Sequence, residues 1–489
     1  MGDYDLTVSY DGYKTADISS PQVAVHDPSI LKADGNYYIF GSHMSAAKSK
    51  DLLNWEMIAD GYMKTNPVYG QIYEVADKAF AYSGSKDSII PTDDKSTHVW
   101  APDVIYNESM GKYCMYYCTT STWNASNLCF GIADKPEGPY VWQKALIYSG
   151  FTTKNIDSTD VLDYVDEDYA KKHYIKAGAY NFEDYPNAID PTVFYDTDKR
   201  LWMTYGSWSG GIFLIELDPE TGDVIHPETD EENGVDRYFG KKLLGGGHIS
   251  IEGPYIMYDP LSEYYYLFVS YGGLTSNGGY QIRVFRSKTV DGSYVDMKDA
   301  YPEKSALHEN FGLKLSGNYK LPSLEKAYMA TGHNSAFVDD DGKMYVVYHT
   351  RFNDNGENHS PRVHQFFTNK EGWPCMLPYQ TQGETISEKG YEDSEILGRY
   401  FVLSQGTDIS NAIANPKIVY LNEDGSITAK ESKGSFSSED GSYYMDIEID
   451  GVKYSGVFCK MKDEAGEDVM TFSAVGENTT VWGVKYLNK

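Results

Sequence analysis

Cysteine is scarce, five in 489 residues, an odd number and too few for a disulfide framework. Cys114 and Cys118 fall on one strand face and Cys129 on the next strand, so they read as small buried hydrophobes. No apolar run approaches the ~20 residues that a membrane helix needs, which argues against membrane insertion. Basic residues are outnumbered, 42 Lys and Arg against 72 Asp and Glu, for a net charge of −30. That sign repels phosphate backbones and anionic lipid surfaces, so nucleic acid is excluded as a partner. A continuous Asp-rich calcium loop is missing too, and Asp339-Asp340-Asp341 reads as a hairpin turn. The opening Met1-Gly2-Asp3-Tyr4 has neither a signal peptide nor a myristoylation pattern, which leaves the compartment open.

What the chain has in quantity is aromatic residues, 44 Tyr and 8 Trp, flat amphipathic rings that suit β-sheet packing and the faces of sugars. It also repeats a phrase. His26-Asp27-Pro28 opens an apolar strand, Asp34-Gly35-Asn36 turns it, and an aromatic strand follows from Tyr37 to Gly41. The phrase returns at Pro102-Asp103-Val104, Asp190-Pro191-Thr192 and Glu252-Gly253-Pro254, and without its acid at His333-Asn334-Ser335. Each copy is followed by about four short strands, the content of one propeller blade. The expected fold is therefore all-β: a five-bladed β-propeller over 1–383, then a small β-sandwich or barrel over 384–489. Copies recur at intervals of roughly 60 to 90 residues, against about 40 to 50 for an ordinary blade, so the excess belongs in loops.

Two such loops stand out. Asn66 and Pro67 suit the start of a helix that Val68, Ile72, Val75, Ala79 and Phe80 continue at helical spacing. The second insertion, Thr152 to Pro186, is acidic and rich in Tyr. Long loops at one end of a propeller shape a site. Residues 1–22 read as an arm laid over the first repeat.

The first strands of propeller blades line the central channel, so Asp27, Asp103, Asp190 and Glu252 are expected to meet at one mouth. Carboxylates gathered in a desolvated pocket do not all ionise, and one acid able to donate beside another able to accept is the equipment of a glycosidase. Trp100, Trp208, Tyr271 and Arg351 share that end and are candidates for the pocket wall.

The chain resembles glycoside hydrolase family 43, in particular its larger endo-acting α-1,5-L-arabinanases. The match is carried by His26-Asp27-Pro28, Trp100-Ala101-Pro102-Asp103, Asn187-Ala188-Ile189-Asp190-Pro191, Ile251-Glu252-Gly253-Pro254 and Gly332-His333-Asn334-Ser335. It extends through Phe268 to Gly273, His349 to Phe352 and Arg362 to Gln365. The resemblance implies Asp27 as general base, Glu252 as general acid and Asp190 as the carboxylate that tunes the acid, hydrolysing arabinan with inversion. It implies pocket roles for Trp100, Asn187, Ser207, Tyr271 and Arg351, and no catalytic role for Asp103. It also implies a single calcium ion (Ca2+), mostly water-coordinated, held by His333 in the channel. The expected partner is plant cell-wall arabinan or its oligosaccharides, acted on by a monomer, secreted or at the cell surface. An exo-acting arabinofuranosidase or β-xylosidase, or a sugar-binding propeller without catalysis, are the alternatives.

Overall fold

The structure, a computed structural model, describes residues 4–18, 22–74, 81–83, 99–120, 125–304, 307–354 and 356–486. Its first hairpin sets the pattern. Asp34 and Gly35, at φ 51° and 70°, join Ser29–Ala33 to Asn36–Gly41, the left-handed two-residue turn whose twist matches that of paired strands. Ser45–Ser49 and Trp55–Ala59 complete an antiparallel sheet of four.

Four more sheets follow in the chain. The second is Val99–Asn107, Lys112–Thr120, Ser126–Ala133 and Val141–Ser149. The third is Thr192–Tyr195, Leu201–Tyr205, Ile212–Leu217 and Gly240–Leu244, with short strands at Val224–Ile225 and Val235–Asp236. The fourth begins Ile251–Asp259, Tyr264–Tyr271, Gln281–Ser287 and Leu313–Ser316, and the fifth is Tyr328–Val338, Met344–Phe352, Ser360–Thr368 and Pro374–Met376. The arrangement is that of a β-propeller. The outer strands of the third and fourth sheets, Gly240–Leu244 and Leu313–Ser316, come after loops with strands or bridges of their own. Aromatic and aliphatic side chains fill the spaces between sheets, as Tyr116, Phe130, Met203, Phe213 and Ile215 do between the second and third.

A left-handed residue stands at the inner end of every sheet: Asp27 (φ 54°), Ala101 (39°), Asp190 (56°), Gly253 (58°) and His333 (45°). In the first four copies Pro follows, which has no N–H to give the ladder. The register accordingly slips between Trp100 and Asp103, Glu252 and Tyr255, and Gly332 and Ser335, bulges that turn side chains out of the sheet and into the channel mouth. Aligned on these corners, the acids are not equivalent, contrary to the sequence reading. Asp27 and Asp190 occupy the corner itself, Glu252 stands one residue before its corner, and Asp103 two residues after.

Two residues past four of the five corners, side chains stitch neighbouring sheets together. Ser335 Oγ donates to Pro28 O at 2.8 Å, Thr192 Oγ1 to Pro254 O at 2.9 Å, and Ser29 Oγ to Asp103 Oδ1. Asp103 Oδ2 accepts from Val193 N at 2.5 Å. Asp103 is thus a buried link across three sheets and does not meet the other acids at the mouth.

Insertion 152–186 forms two short helices, Val161–Tyr164 and Glu167–His173, the second capped by Asp166 accepting from Tyr169 N at 2.7 Å. Tyr174 O–H anchors it to Asp236 at 2.9 Å. The other expected helix is one turn, Gly70–Glu74, behind Asn66, whose Oδ1 accepts from Val68 and Tyr69 N–H at 3.0 and 2.8 Å. Val75, Ala79 and Phe80 lie outside the described residues.

The eight C-terminal strands, from Gly398–Ser404 to Thr479–Lys485, pair in chain order, and the last strand pairs with both the first and the seventh. Of the two folds left open by the sequence, it is the barrel. It docks through Trp482, whose indole donates to Met376 O at 2.6 Å, and through Thr479, paired with Lys314 of the fourth sheet. Of the N-terminal arm, Gln22 meets the first repeat, its Oε1 accepting from Trp55 N at 3.1 Å, while other described residues lie on the barrel and the fifth sheet. Tyr10 and Tyr13 pack on Phe401 of the barrel, Arg362 of the fifth sheet donates to Ile18 O at 2.5 Å, and Ala16 N to Ser323 O at 2.9 Å.

Candidate active site

Asp27 is surrounded by imidazoles. His333 Nδ1 lies 3.1 Å from its Oδ1 and His26 Nδ1 2.8 Å from its Oδ2, the latter out of line for a hydrogen bond. Ser42 Oγ donates to Oδ2 at 2.5 Å and accepts from Ala101 N at 2.9 Å, tying the first corner to the second. The Asp27 N–H donates to His349 Nδ1 at 3.3 Å. Burial pushes the Asp27 carboxyl up, but the rings of His26, His333 and His349 outweigh it and hold it well below the usual carboxylate range. Asp27 is an ionised carboxylate, fit to accept a proton.

Asp190 is the opposite case. Burial pushes it up to about 7, helped by the like charges of Glu252 and Asp27 and opposed by His333 and the Gly253 N–H. That N–H donates to Asp190 Oδ2 at 3.2 Å, one residue from Glu252.

Glu252 is held by three donors. Trp208 Nε1 and Ser207 Oγ reach Oε2 at 2.7 and 3.2 Å, and Tyr280 O–H reaches Oε1 at 2.6 Å. Trp208 is itself fixed, at φ 54° with its N–H on Ile251 O at 2.8 Å. Oε2 has both lone-pair positions engaged, so Oε1 keeps the open position where a transferable proton can sit.

His333 lies among all three acids. Burial lowers its proton affinity, but Asp27, Asp190 and Glu252 prevail and raise it. Its backbone N–H donates to Ser270 Oγ at 2.7 Å, and a side chain at Gly253 would touch its ring at 3.1 Å. With Nδ1 turned to Asp27, Nε2 meets no protein partner among the described residues. One free imidazole nitrogen amid three acids fits a cation whose remaining ligands are water. His26, Asp27 and His349 also bring ligand atoms within 4.8 Å of one another, yet both Asp27 oxygens are already engaged.

The other sequence candidates fare unevenly. Ser207 touches Glu252, as above. Asn187 is buried behind Asp190, its Oδ1 accepting from Ser149 Oγ at 3.4 Å. Trp100 stands half-buried one residue before its corner, the place Glu252 takes in the fourth sheet. Arg351 is buried, with Nε 2.6 Å from Glu357 Oε2 and Nη2 3.4 Å from His26 Nε2. Tyr271 is a correction. It is 0% exposed, packed in the core with Arg283 over its ring at 5.1 Å, because it pairs with Ile251 and faces away from the mouth. Tyr280, across the hairpin, takes the place expected of it. Sequence reasoning missed Tyr280, Ser42, His26 and His349 as residues of the site. The repeated corner was a signal for His26, one residue before it, and Gly41-Ser42 matches Gly206-Ser207 after the second strand, whereas Tyr280 follows a glycine-rich loop that carries no such signal.

Residues 165–374 match the family model for glycosyl hydrolases family 43, and 378–483 the family's C-terminal lipocalin-like domain. The chain is 37% identical to extracellular endo-α-(1→5)-L-arabinanase 2 of Bacillus subtilis over 95% of its length and 93% of the relative's. It is 38% identical to the Thermotoga petrophila extracellular endo-α-(1→5)-L-arabinanase, with 94% and 93% covered.

The chain belongs to glycoside hydrolase family 43.

A crystal structure of endo-1,5-α-L-arabinanase from Thermotoga petrophila superposes with a TM-score of 0.82, at 36% identity, covering 96% of this chain and 100% of that one. As a family 43 protein it is an inverting glycoside hydrolase.

Proposed function

We infer that this family 43 enzyme cleaves internal α-1,5-L-arabinofuranosidic bonds of arabinan with inversion. The carrying observation is the split between its acids: Asp27 held ionised by imidazoles, and Glu252 held by Trp208, Ser207 and Tyr280 with one oxygen position open. Two relatives similar over nearly the whole chain, both called endo-arabinanases, support the substrate. Asp27 takes a proton from water as the water attacks the anomeric carbon. Glu252 gives its proton to the departing glycosidic oxygen, and the configuration inverts. Asp190, close to Glu252 and high in proton affinity, keeps a second negative charge off the acid and orients it through Gly253.

A calcium ion, when bound, would supply positive charge in the channel that steadies this acid cluster, with His333 Nε2 as its protein ligand. Adjacency of the first strands round a closed circuit, first sheet beside second and fifth beside first, supports a five-bladed propeller. We draw the domain boundary at 383/384, ahead of the barrel. All three acids come from one chain, so a monomer suffices, and the naming of relatives as extracellular supports secretion.

Digestion of linear arabinan tests the reading. Mixed oligosaccharides at early times and a first-formed anomer of inverted configuration are expected; only monosaccharide from the outset would overturn endo action. Asp27→Ala should lower turnover on arabinan about 10²- to 10⁴-fold. Glu252→Ala should do the same, yet keep more of its activity on an aryl arabinofuranoside, whose leaving group needs no proton.

A further inference from the structure

An enzyme that cuts inside a polymer must hold the chain on both sides of the scissile bond. The departing half leaves past the acid, Glu252. From Glu252 the structure carries a strip of rings outward. Trp208, whose indole N–H donates to Glu252 Oε2, is half-buried, and its ring lies 5.4 Å from that of His248. His248 is exposed and lies 5.8 Å from Phe182, which is 40% exposed. Three separate segments supply these rings: the loop after the third sheet's second strand, the loop leading into Ile251–Asp259, and insertion 152–186.

A single exposed Phe on a loop needs no explanation. This one is held in place. Gly247 N donates to Glu183 O at 2.7 Å, and Gly210 N to Gly247 O at 3.3 Å. Gly210, at φ 66°, lies so close to Tyr185 that a Cβ would fall 2.2 Å from its backbone. Lys304 pairs with Asp184 and lies 3.8 Å from Glu183. The residues that follow Phe182 in the insertion, Glu183 and Tyr185, are therefore held against the loops that carry Trp208 and His248.

We propose that Trp208, His248 and Phe182 form the platform on which the departing arabinan chain rests, with Phe182 as its outer step. Neutral pentofuranose rings present C–H faces that pack on aromatic rings, and no charge is required of the ligand. The proposal rests on the endo-arabinanase reading.

The test compares Phe182→Ala and Phe182→Tyr with the parent on linear arabinan and on an aryl arabinofuranoside too short to reach Phe182. In Phe182→Ala, kcat/KM on arabinan should fall five- to twentyfold further than on the aryl substrate, chiefly through KM, and Phe182→Tyr should restore most of it. End-labelled arabinohexaose should also be cut at a shifted position. Equal losses on the two substrates, or none on either, would overturn the platform. If the parent itself leaves linear arabinan uncut, the underlying reading fails instead, so the two failures are distinct.

Discussion

The ring of Tyr280 rests against Gly332: a Cβ on that glycine would fall 2.3 Å from two ring carbons, and the Tyr280 hydroxyl donates to Glu252 Oε1 at 2.6 Å. The absence of a side chain in the fifth sheet thereby positions an acid of the fourth. Gly332→Ala should displace the tyrosine, at about 1–3 kcal/mol of stability. Tyr280→Phe removes only the hydrogen bond to a chargeable group, on the order of 1.5–3 kcal/mol, so kcat/KM should drop tenfold or more while Tm falls by a few degrees at most. Steady-state kinetics beside thermal melts check both; a Tyr280→Phe enzyme with parental kinetics would remove Tyr280 from the site.

Asp103 gives a pH dependence of stability. Burial pushes its carboxyl up to about 6, against donation from Ser29 and the N–H groups of Val193 and Val104. The folded chain therefore binds this proton more tightly than the unfolded one. The contribution is fully present below about pH 4 and is lost as pH rises to about 6, on the order of 3 kcal/mol. Asp103→Asn lacks that loss, so its stability relative to the parent should rise between pH 4 and pH 7.5. Denaturant melts at the two values check it, and a pH-independent difference would contradict it.

Trp482 joins barrel to propeller. It is fully buried, its indole on Met376 O and its ring 4.9 Å from Tyr319. Trp482→Ala should cost about 3–5 kcal/mol. Calorimetry should record one unfolding transition in the parent and a lower or divided one in the variant, whereas two separate transitions in the parent would show that the domains melt independently.

His333 carries the proposal for calcium. Activity should fall on chelation and return with calcium in the parent, while His333→Ala should be weakly active and unresponsive to calcium. Direct metal analysis of the purified protein provides the second readout, and a chelator-insensitive enzyme with no bound ion would count against the site.

Much of the site was legible because its corners repeat. Asp27-Pro28, Ala101-Pro102, Asp190-Pro191 and Gly253-Pro254 share a proline, and the first and third carry their acid on the left-handed residue itself. Taking the acids as the common mark shifted Glu252 by one residue and Asp103 by two. That is why Asp103 was expected at the mouth and instead bridges sheets below it. Tyr271 was placed at the pocket and Tyr280 overlooked for a related reason: both flank one hairpin, and only the fold of that hairpin decides which ring faces Glu252.

By itself the sequence determined the all-β class and the repeated sheets, since hydrophobic alternation, turn residues and X-Pro corners are local properties that each stretch carries alone; the repeat offered four acids, and the family resemblance singled out three of them. Tertiary structure decided the tuning of those acids. Asp27 is held ionised by rings from the first and fifth sheets, Asp190 is pushed toward protonation by burial beside Glu252, and Glu252 takes its donors from the third and fourth. Proton affinity depends on burial and on charges a few ångströms away, and those neighbours are distant in the chain.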